Sequence, residues 1–251
     1  TYNYYHISLT AMNLEQQVKH LDKHYRDGNP IVSDKKFDIL EKKLYEIHPD
    51  SDYFTNRDAL PLPSLEKDPI EDFLEGLHKD TDIVVEPKID GCAVAIEYRN
   101  GKINHAITRK GKDITDKMIK IRTLPLTVPT KDTIQVRGEL YAQKETGNVS
   151  QHMAAGYLRS KSLDPNVKLA FCAFQIINAE INQWDVLALL LKLGFHTIRS
   201  YSKVPAWSIK EEYKYWYKND FPTDGVVLKI NDYNLQQTRP DYWQMAIKHY
   251  A

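Results

Sequence analysis

No stretch of this 251-residue chain stays apolar for the roughly 18 residues that a membrane span requires, and no charged-then-apolar leader opens it. Neither a membrane nor secretion is indicated. Net charge is missing too: 34 Lys plus Arg balance 34 Asp plus Glu. Dedicated nucleic-acid binders are usually basic, so neutrality argues against this chain alone gripping DNA or RNA strongly, while leaving room for a local basic groove. Cysteine is scarce. Cys92 and Cys172 lie far apart and neither has a CxxC partner, which disfavours a thiolate zinc site and makes a reducing cytoplasm the default. Internal repeats and low-complexity tracts are absent as well. Aromatics are plentiful, with 16 Tyr, 7 Phe and 4 Trp, and help an ordinary apolar fraction to build a real core.

The first part of the chain reads as helical. Leu14, Val18, Leu21 and Tyr25 recur at steps of four, three and four, one face of a helix. Asp27-Gly28-Asn29-Pro30 breaks it. Ser33 can cap a second helix, with Asp34 in its first turn and Phe37, Leu40, Leu44 and Ile47 as its apolar stripe; His48-Pro49 ends it. A helical hairpin of this size has little stability alone. A connector with "LPLPSL" follows, and then the period changes to two. Val94, Ile96 and Tyr98 alternate, Asn100-Gly101 is a hairpin signal, and Ile103, His105 and Ile107 alternate again. Further strands are expected at 134–141, 169–177 and 225–231, and helices at 183–194 and 208–218. The expected class is α+β: a small helical unit over residues 1–55, then a domain dominated by antiparallel strands over 56–251.

The chemistry concentrates first in "EPKIDG", residues 86–91. In an extended segment alternate residues share a face, so Glu86, Lys88 and Asp90 point one way. Gln135, Arg137, Glu139 and Tyr141 share a face on a later strand. Val226, Leu228 and Ile230 lie opposite Val227 and Lys229, and Ala246 and Lys248 opposite Met245 and Ile247. Several otherwise apolar strands thus offer one charge each, and converging faces would line a polar pocket with Lys88, Arg109, Glu139, Lys229 and Lys248. Solvated strand faces are the plain alternative. A KxDG match alone is weak, since about one chain in twenty of this length carries one by chance.

Order supplies the specificity. "EPKIDG", "ITRKG", "VRGELY", "FCAF", "TDGVVLKI" and "MAIKHY" follow one another over residues 60–251. This series resembles the nucleotidyltransferase superfamily of DNA ligases, RNA ligases and capping enzymes. The closer similarity is to NAD-dependent DNA ligases: "DITDKMIKIRTLPLTVP", "AAGYLRSKSLD" and "LPLPSLEK" look like that family's further motifs. "HYRDGNPIVSDKKFDIL" looks like its N-terminal nicotinamide-mononucleotide-binding hairpin. Three departures stand out. The hairpin motif opens on His24-Tyr25 where the family has Tyr-His or Tyr-Tyr. Phe37 replaces the family's tyrosine, and the glycine-rich segment after Arg109 is shortened to Lys110-Gly111-Lys112, the mark of a diverged member, phage or viral in character.

The resemblance implies NAD and Mg²⁺, and an antiparallel-sheet adenylation domain. Lys88 would be the nucleophile that carries AMP, Glu86 would read the adenine amino group, and Arg109 and Glu139 would hold the ribose. Phe174 would stack on adenine, although a plain core aromatic is equally consistent with the sequence. Asp90 and Asp224 would orient the lysines or the ribose, Lys229 and Lys248 would supply positive charge to the phosphate and to Lys88, and Ser64 and Leu65 would line the nucleotide site. His24, Tyr25, Asp34, Phe37 and Asp38 would hold the nicotinamide half, with Asp34 as a simple helix-start acid the alternative. Arg159 would lie near the phosphates or the DNA backbone. No protein cage for a metal is implied. Nicked double-stranded DNA would be engaged mainly through domains or a second subunit beyond Ala251, in the cytoplasm of a bacterial or phage-infected cell. An ATP-dependent DNA or RNA ligase and a catalytically inert nucleotide-binding scaffold are the alternatives; the helical hairpin speaks against a capping guanylyltransferase.

Overall fold

The computed structural model describes residues 13–26, 31–48, 51, 53, 70–143, 148–160, 168–177, 179–198, 202–209, 221–239 and 243–248. The chain divides into two compact units, Thr1–Pro61 with Lys110–Lys112, and Leu62–Arg109 with Asp113–Ala251. Among the described residues no helix is long and apolar enough to cross a membrane.

In the first unit, α1 (Leu14–Arg26) and α2 (Asp34–Ile47) form the expected pair. Asn13 and Gln16 cap α1 reciprocally: the Gln16 N–H donates to Asn13 Oδ1 at 2.8 Å and the Asn13 N–H to Gln16 Oε1 at 3.2 Å. Ser33 accepts from the Lys36 N–H at the start of α2. Val18, Leu21, Phe37, Leu44 and Tyr53 are the buried core between them, with Leu14, Val32 and Leu40 packed against it. Ile47, expected on the same stripe, is 52% exposed at the last position of the helix.

The second unit is built on two antiparallel four-stranded sheets. Its elements are α3 (Ile70–Leu74), β1 (Asp82–Ile89), β2 (Cys92–Arg99), β3 (Lys102–Thr108), α4 (Thr115–Met118), β4 (Ile134–Ala142), α5 (Asn148–Arg159), β5 (Leu169–Ile176), α6 (Gln183–Lys192), β6 (Ser202–Pro205), β7 (Thr223–Ile230), α7 (Tyr233–Thr238) and β8 (Gln244–Lys248). One sheet runs β6-β1-β7-β8 and the other β3-β2-β4-β5. The β2–β3 hairpin turns on Asn100 and Gly101, both at positive φ, the geometry that matches strand twist in a two-residue turn. The expected strands and the helix at 183 form to within about two residues. The helix expected at 208–218 falls mainly outside the described residues; Ala206–Ser208 ahead of it is a 3₁₀ turn.

Alternation assigns each strand two faces. Ile83, Val85, Val226, Leu228, Ile230 and Met245 pack with Phe73 of α3 on the outer side of the first sheet. Val94, Ile96, Tyr98, Val136, Leu140 and Phe171 pack with Met118, Ala154, Leu158, Val186, Leu187 and Leu190 from the helices on the outer side of the second. The opposite faces of the two sheets look at each other. They carry Glu86, Lys88 and Lys229 on one side, and Arg137, Glu139, Tyr141, Cys172 and Phe174 on the other.

Candidate active site

The site begins where β1 ends. Among the described residues β6 pairs with Asp82–Val85, and Pro87 lies past that ladder, where a missing N–H is tolerated. On its other side β1 pairs with β7, and the register shifts between Pro87 and Ile89. Between those pairs β7 carries two residues, Asp224 and Gly225, opposite Lys88 alone, a bulge of the kind that re-aims a side chain toward a site. The Lys88 ammonium lies 2.6 Å from Asp224 Oδ1, with side chains 22% and 26% exposed.

Beyond Asp90, whose N–H donates to the Pro222 carbonyl at 2.7 Å, the chain passes to β2 through Gly91. A Cβ there would sit 2.3 Å from the Leu140 carbonyl oxygen and 2.9 Å from Glu139 Cγ. The glycine serves space, since only a residue without a side chain lets the chain cross flush against β4. That crossing brings Glu139 into the field of Lys88, Asp90, Asp224 and Arg109. Burial pushes the Glu139 carboxyl up to about 8; Asp90 and Asp224 add to the rise, while Lys88 and Arg109 oppose it. Arg109 itself is exposed, just past β3.

Two residues back on the same strand the environment is closed. Glu86 is 1% exposed. Its Oε2 pairs with Lys229 Nζ at 2.7 Å and its Oε1 accepts from Gln183 Nε2 at 2.8 Å. The Gln183 amide also donates to the Phe174 carbonyl at 3.0 Å. The Lys229 ammonium donates to the same carbonyl at 3.4 Å and stands 4.8 Å from the Phe174 ring centroid. Burial lowers the Lys229 pKa and Glu86 opposes that shift. Lys229, expected to lend its charge at Lys88, thus pairs with Glu86, because its strand position is across from Val84 rather than from Lys88.

Residues 64–249 match the family model of the NAD-dependent DNA ligase adenylation domain. The chain belongs to that family. It is 29% identical to a DNA ligase of Fervidobacterium nodosum across 96% of this chain and 45% of that protein, and 32% identical to one of Mycoplasma genitalium across 96% and 46%. The chain therefore spans just under half the length of these curated relatives. Among solved structures, one described as "Structure-function analysis of Lig E DNA ligases" aligns at 15% identity and a TM-score of 0.48, over 76% of this chain and 69% of that one. The resemblance read from the six ordered motifs and the α+β class are both borne out by the family match and by the two sheets.

Within this adenylation domain the structure brings Glu86, Lys88, Asp90, Arg109, Glu139, Phe174, Asp224 and Lys229 to one cleft. The Lys248 backbone pairs with Gly225, next to Asp224; its side chain lies outside the described residues. Arg159, exposed at the end of α5, acts electrostatically on Cys92, whose thiol burial pushes up to about 12. The end of α5 is anchored by Lys117, whose ammonium donates to the carbonyls of Tyr157, Leu158 and Ser160 at 2.8, 2.8 and 2.5 Å. In the first unit, His24 is half-buried beside the His20 ring, and Phe37 is 4% exposed inside the hairpin core. Ser64 and Leu65, and the side chains of Tyr25, Asp34 and Asp38, lie outside the described residues.

Of three further features of the cleft, alternation puts Arg137 and Tyr141 on the Glu139 face without a role, and Gln183 carries no signal. Gln183 joins Glu86 from the start of a helix whose sequence signals only a packing face. Arg137 is buried on the Glu139 face, donates to Gln175 Oε1 at 3.2 Å, and has its pKa lowered by desolvation to about 10; the two-residue spacing from Glu139 was its only signal. Tyr141 shares a 3.0 Å hydrogen bond with His196 and packs edge-on to Phe221 at 5.6 Å, a contact between elements with no local mark.

Proposed function

We propose that this chain is the self-adenylating part of an NAD-dependent DNA ligase, with Lys88 as the nucleophile. The observation that carries the reading is the pairing of Lys88 with Asp224 at the β1 register shift, with the buried Glu86 group two residues away on the same face, about 7 Å along the strand. An aromatic face with a buried carboxylate at one end, and a partly exposed lysine among acids and Arg109 at the other, suit a nucleoside monophosphate.

The Lys88 amine attacks the α-phosphorus of NAD. A P–N bond forms, the bond to the nicotinamide mononucleotide oxygen breaks, and AMP is left on Lys88. The amine must first lose its proton, and Asp224, 2.6 Å away, is the group placed to hold and orient it. Arg109 and Glu139 meet the ribose, Asp90 supports that end, and Phe174 stacks on the base. Glu86 accepts from the adenine amino group, and Lys229 holds Glu86 in place. Lys248 lends positive charge to the phosphate as charge builds there. Mg²⁺, held through phosphate oxygens and water, would neutralise charge on the transferring group; no cluster of three His, Cys, Asp or Glu suited to a metal occurs among the described residues. Ser64 and Leu65 border the nucleotide. His24, Tyr25, Asp34, Phe37 and Asp38 serve the nicotinamide half, and residues 1–55 and 56–251 act as the two domains. Arg159 meets phosphates or the DNA backbone. Transfer of AMP to the 5′-phosphate of a nick, and sealing, draw on the length that the relatives carry beyond this chain.

Intact mass after mixing with NAD and Mg²⁺ tests the reading. A gain of one adenylate unit that Lys88→Ala abolishes is expected. A gain with ATP and none with NAD transfers the chain to the ATP-dependent ligases, and binding without any covalent gain makes it a scaffold. The family match favours the first outcome.

A further inference from the structure

Gln183 is an uncharged side chain at the base end of the cleft that bonds to both sheets. It is 2% exposed, at the first position of α6. Its Nε2 donates to Glu86 Oε1 of the first sheet at 2.8 Å and to the Phe174 carbonyl of the second at 3.0 Å. The helix that carries it is fixed at the same point. The Gln183 N–H donates to the Asn231 carbonyl at 3.0 Å, and the Trp184 N–H to Asn231 Oδ1 at 2.9 Å, just past β7. Downstream, Val186, Leu187 and Leu190 pin the helix to the outer core. The amide therefore has a rigid base, and both of its contacts lie in the cleft.

The chemistry of Glu86 explains why that matters. A carboxylate reads an exocyclic amino group by accepting from it, and rejects a carbonyl at the same place, because two acceptors then face each other. Such discrimination depends on the carboxylate plane being held still. Lys229 fixes Oε2 at 2.7 Å, but an ammonium is a rotatable point charge and sets no plane. The planar amide of Gln183 on Oε1 supplies the second point, and its other bond ties that point to the strand that carries the stacking aromatic.

We propose that Gln183 is a positioning residue for purine selection: it orients the Glu86 carboxylate so that the site takes a 6-amino purine and refuses a 6-oxo purine. The inference rests on the assignment of Glu86 to the base. Gln183 acts through Glu86 and takes no part in the phosphoryl transfer at Lys88.

The test compares NAD with nicotinamide hypoxanthine dinucleotide, which differs at that one position. Binding of each is measured by calorimetry in a Lys88→Ala background, so that the dinucleotides stay intact, and adenylate transfer by mass on the Lys88 chain. The parent is expected to prefer NAD. Gln183→Met, equal in length and without the donor, is expected to lower that preference at least fivefold, mostly through KM, with kcat nearly unchanged. Gln183→Leu, which also removes the donor and adds no buried charge, should lower it to a similar extent and serves as the second variant. Asn231→Ala removes only the bond to the Trp184 N–H and keeps the backbone bond to Gln183 and the apolar anchors of the helix, so it should leave the preference as in the parent. Equal preference in the parent and both Gln183 variants overturns the role of Gln183 alone. Loss of preference in Asn231→Ala to the same extent makes the amide merely structural. A parent that takes both dinucleotides equally overturns base reading by Glu86, and Gln183 with it.

Discussion

Two lysine–carboxylate pairs stand two residues apart along β1 and are nearly equal in length. Lys88–Asp224 is 2.6 Å with its side chains 22% and 26% exposed; Lys229–Glu86 is 2.7 Å with both at 2%. Geometry alone would call them alike, and burial makes them opposites. The partly exposed pair keeps some contact with water, so separating it costs less than separating a fully buried one. That is the condition a nucleophile needs. The buried pair has surrendered its hydration, and it persists because further groups complete it: the Gln183 amide on the free carboxylate oxygen and the Phe174 ring and carbonyl beside the ammonium. Removing one member there strands the other in a low-dielectric cleft. One strand face thus carries a reactive end and a rigid end.

The contrast breaks first at Lys88. Lys88→Ala should abolish the adenylate mass gain entirely while urea unfolding stays within about 1 kcal/mol of the parent; a large stability loss would mean that the open pair is structural. The closed pair should behave the other way. Lys229→Ala should cost about 3–5 kcal/mol in the same unfolding experiment, and Glu86→Gln with Lys229→Met should restore most of it without restoring NAD binding. A Lys229→Ala chain as stable as the parent would equate the two pairs. Gly91→Ala probes how the reactive end is seated. A Cβ 2.3 Å from the Leu140 oxygen forces β1 and β4 apart, so a loss of about 1–3 kcal/mol and slower adenylation are expected together. The smallest effect is a titration. The Glu139 carboxyl stands near 8 when folded and at the ordinary 4.5 when unfolded. Between those values the folded state holds the extra proton, so this group erodes stability as pH rises from about 5 to about 8. Glu139→Gln should therefore gain thermal stability relative to the parent across that window, and no further above it. A difference that stays flat with pH would place no titration at the open end.

Much of this contrast is legible in the sequence. Period-two alternation predicted which side chains of β1, β4 and β7 share the cleft, because a strand leaves only two directions for a side chain. The ordered motifs nominated Lys88, Glu86, Glu139 and Asp224. Alternation carries no information about which charge meets which across a sheet. The resemblance has Lys229 lend charge to the phosphate and to Lys88; register sets it across from Val84, where it pairs with Glu86. The need for glycine at position 91 is not legible in the sequence either, because its constraint is the Leu140 carbonyl, 49 positions away in the chain. Gln183 was invisible for the same reason: its partners come from β1 and β5, and a glutamine at a helix start is unremarkable by itself.

The sequence by itself determined the strand faces, the hairpin turn at Asn100-Gly101, the capped α2 and the membership of an adenylation family, all of which follow from local periodicity, backbone preference or motif order. Only the tertiary structure decided that Lys88 would have an open partner and Glu86 a closed one. Desolvation depends on what the opposite sheet and α6 place over a charge, and that is a property of packing rather than of neighbouring residues.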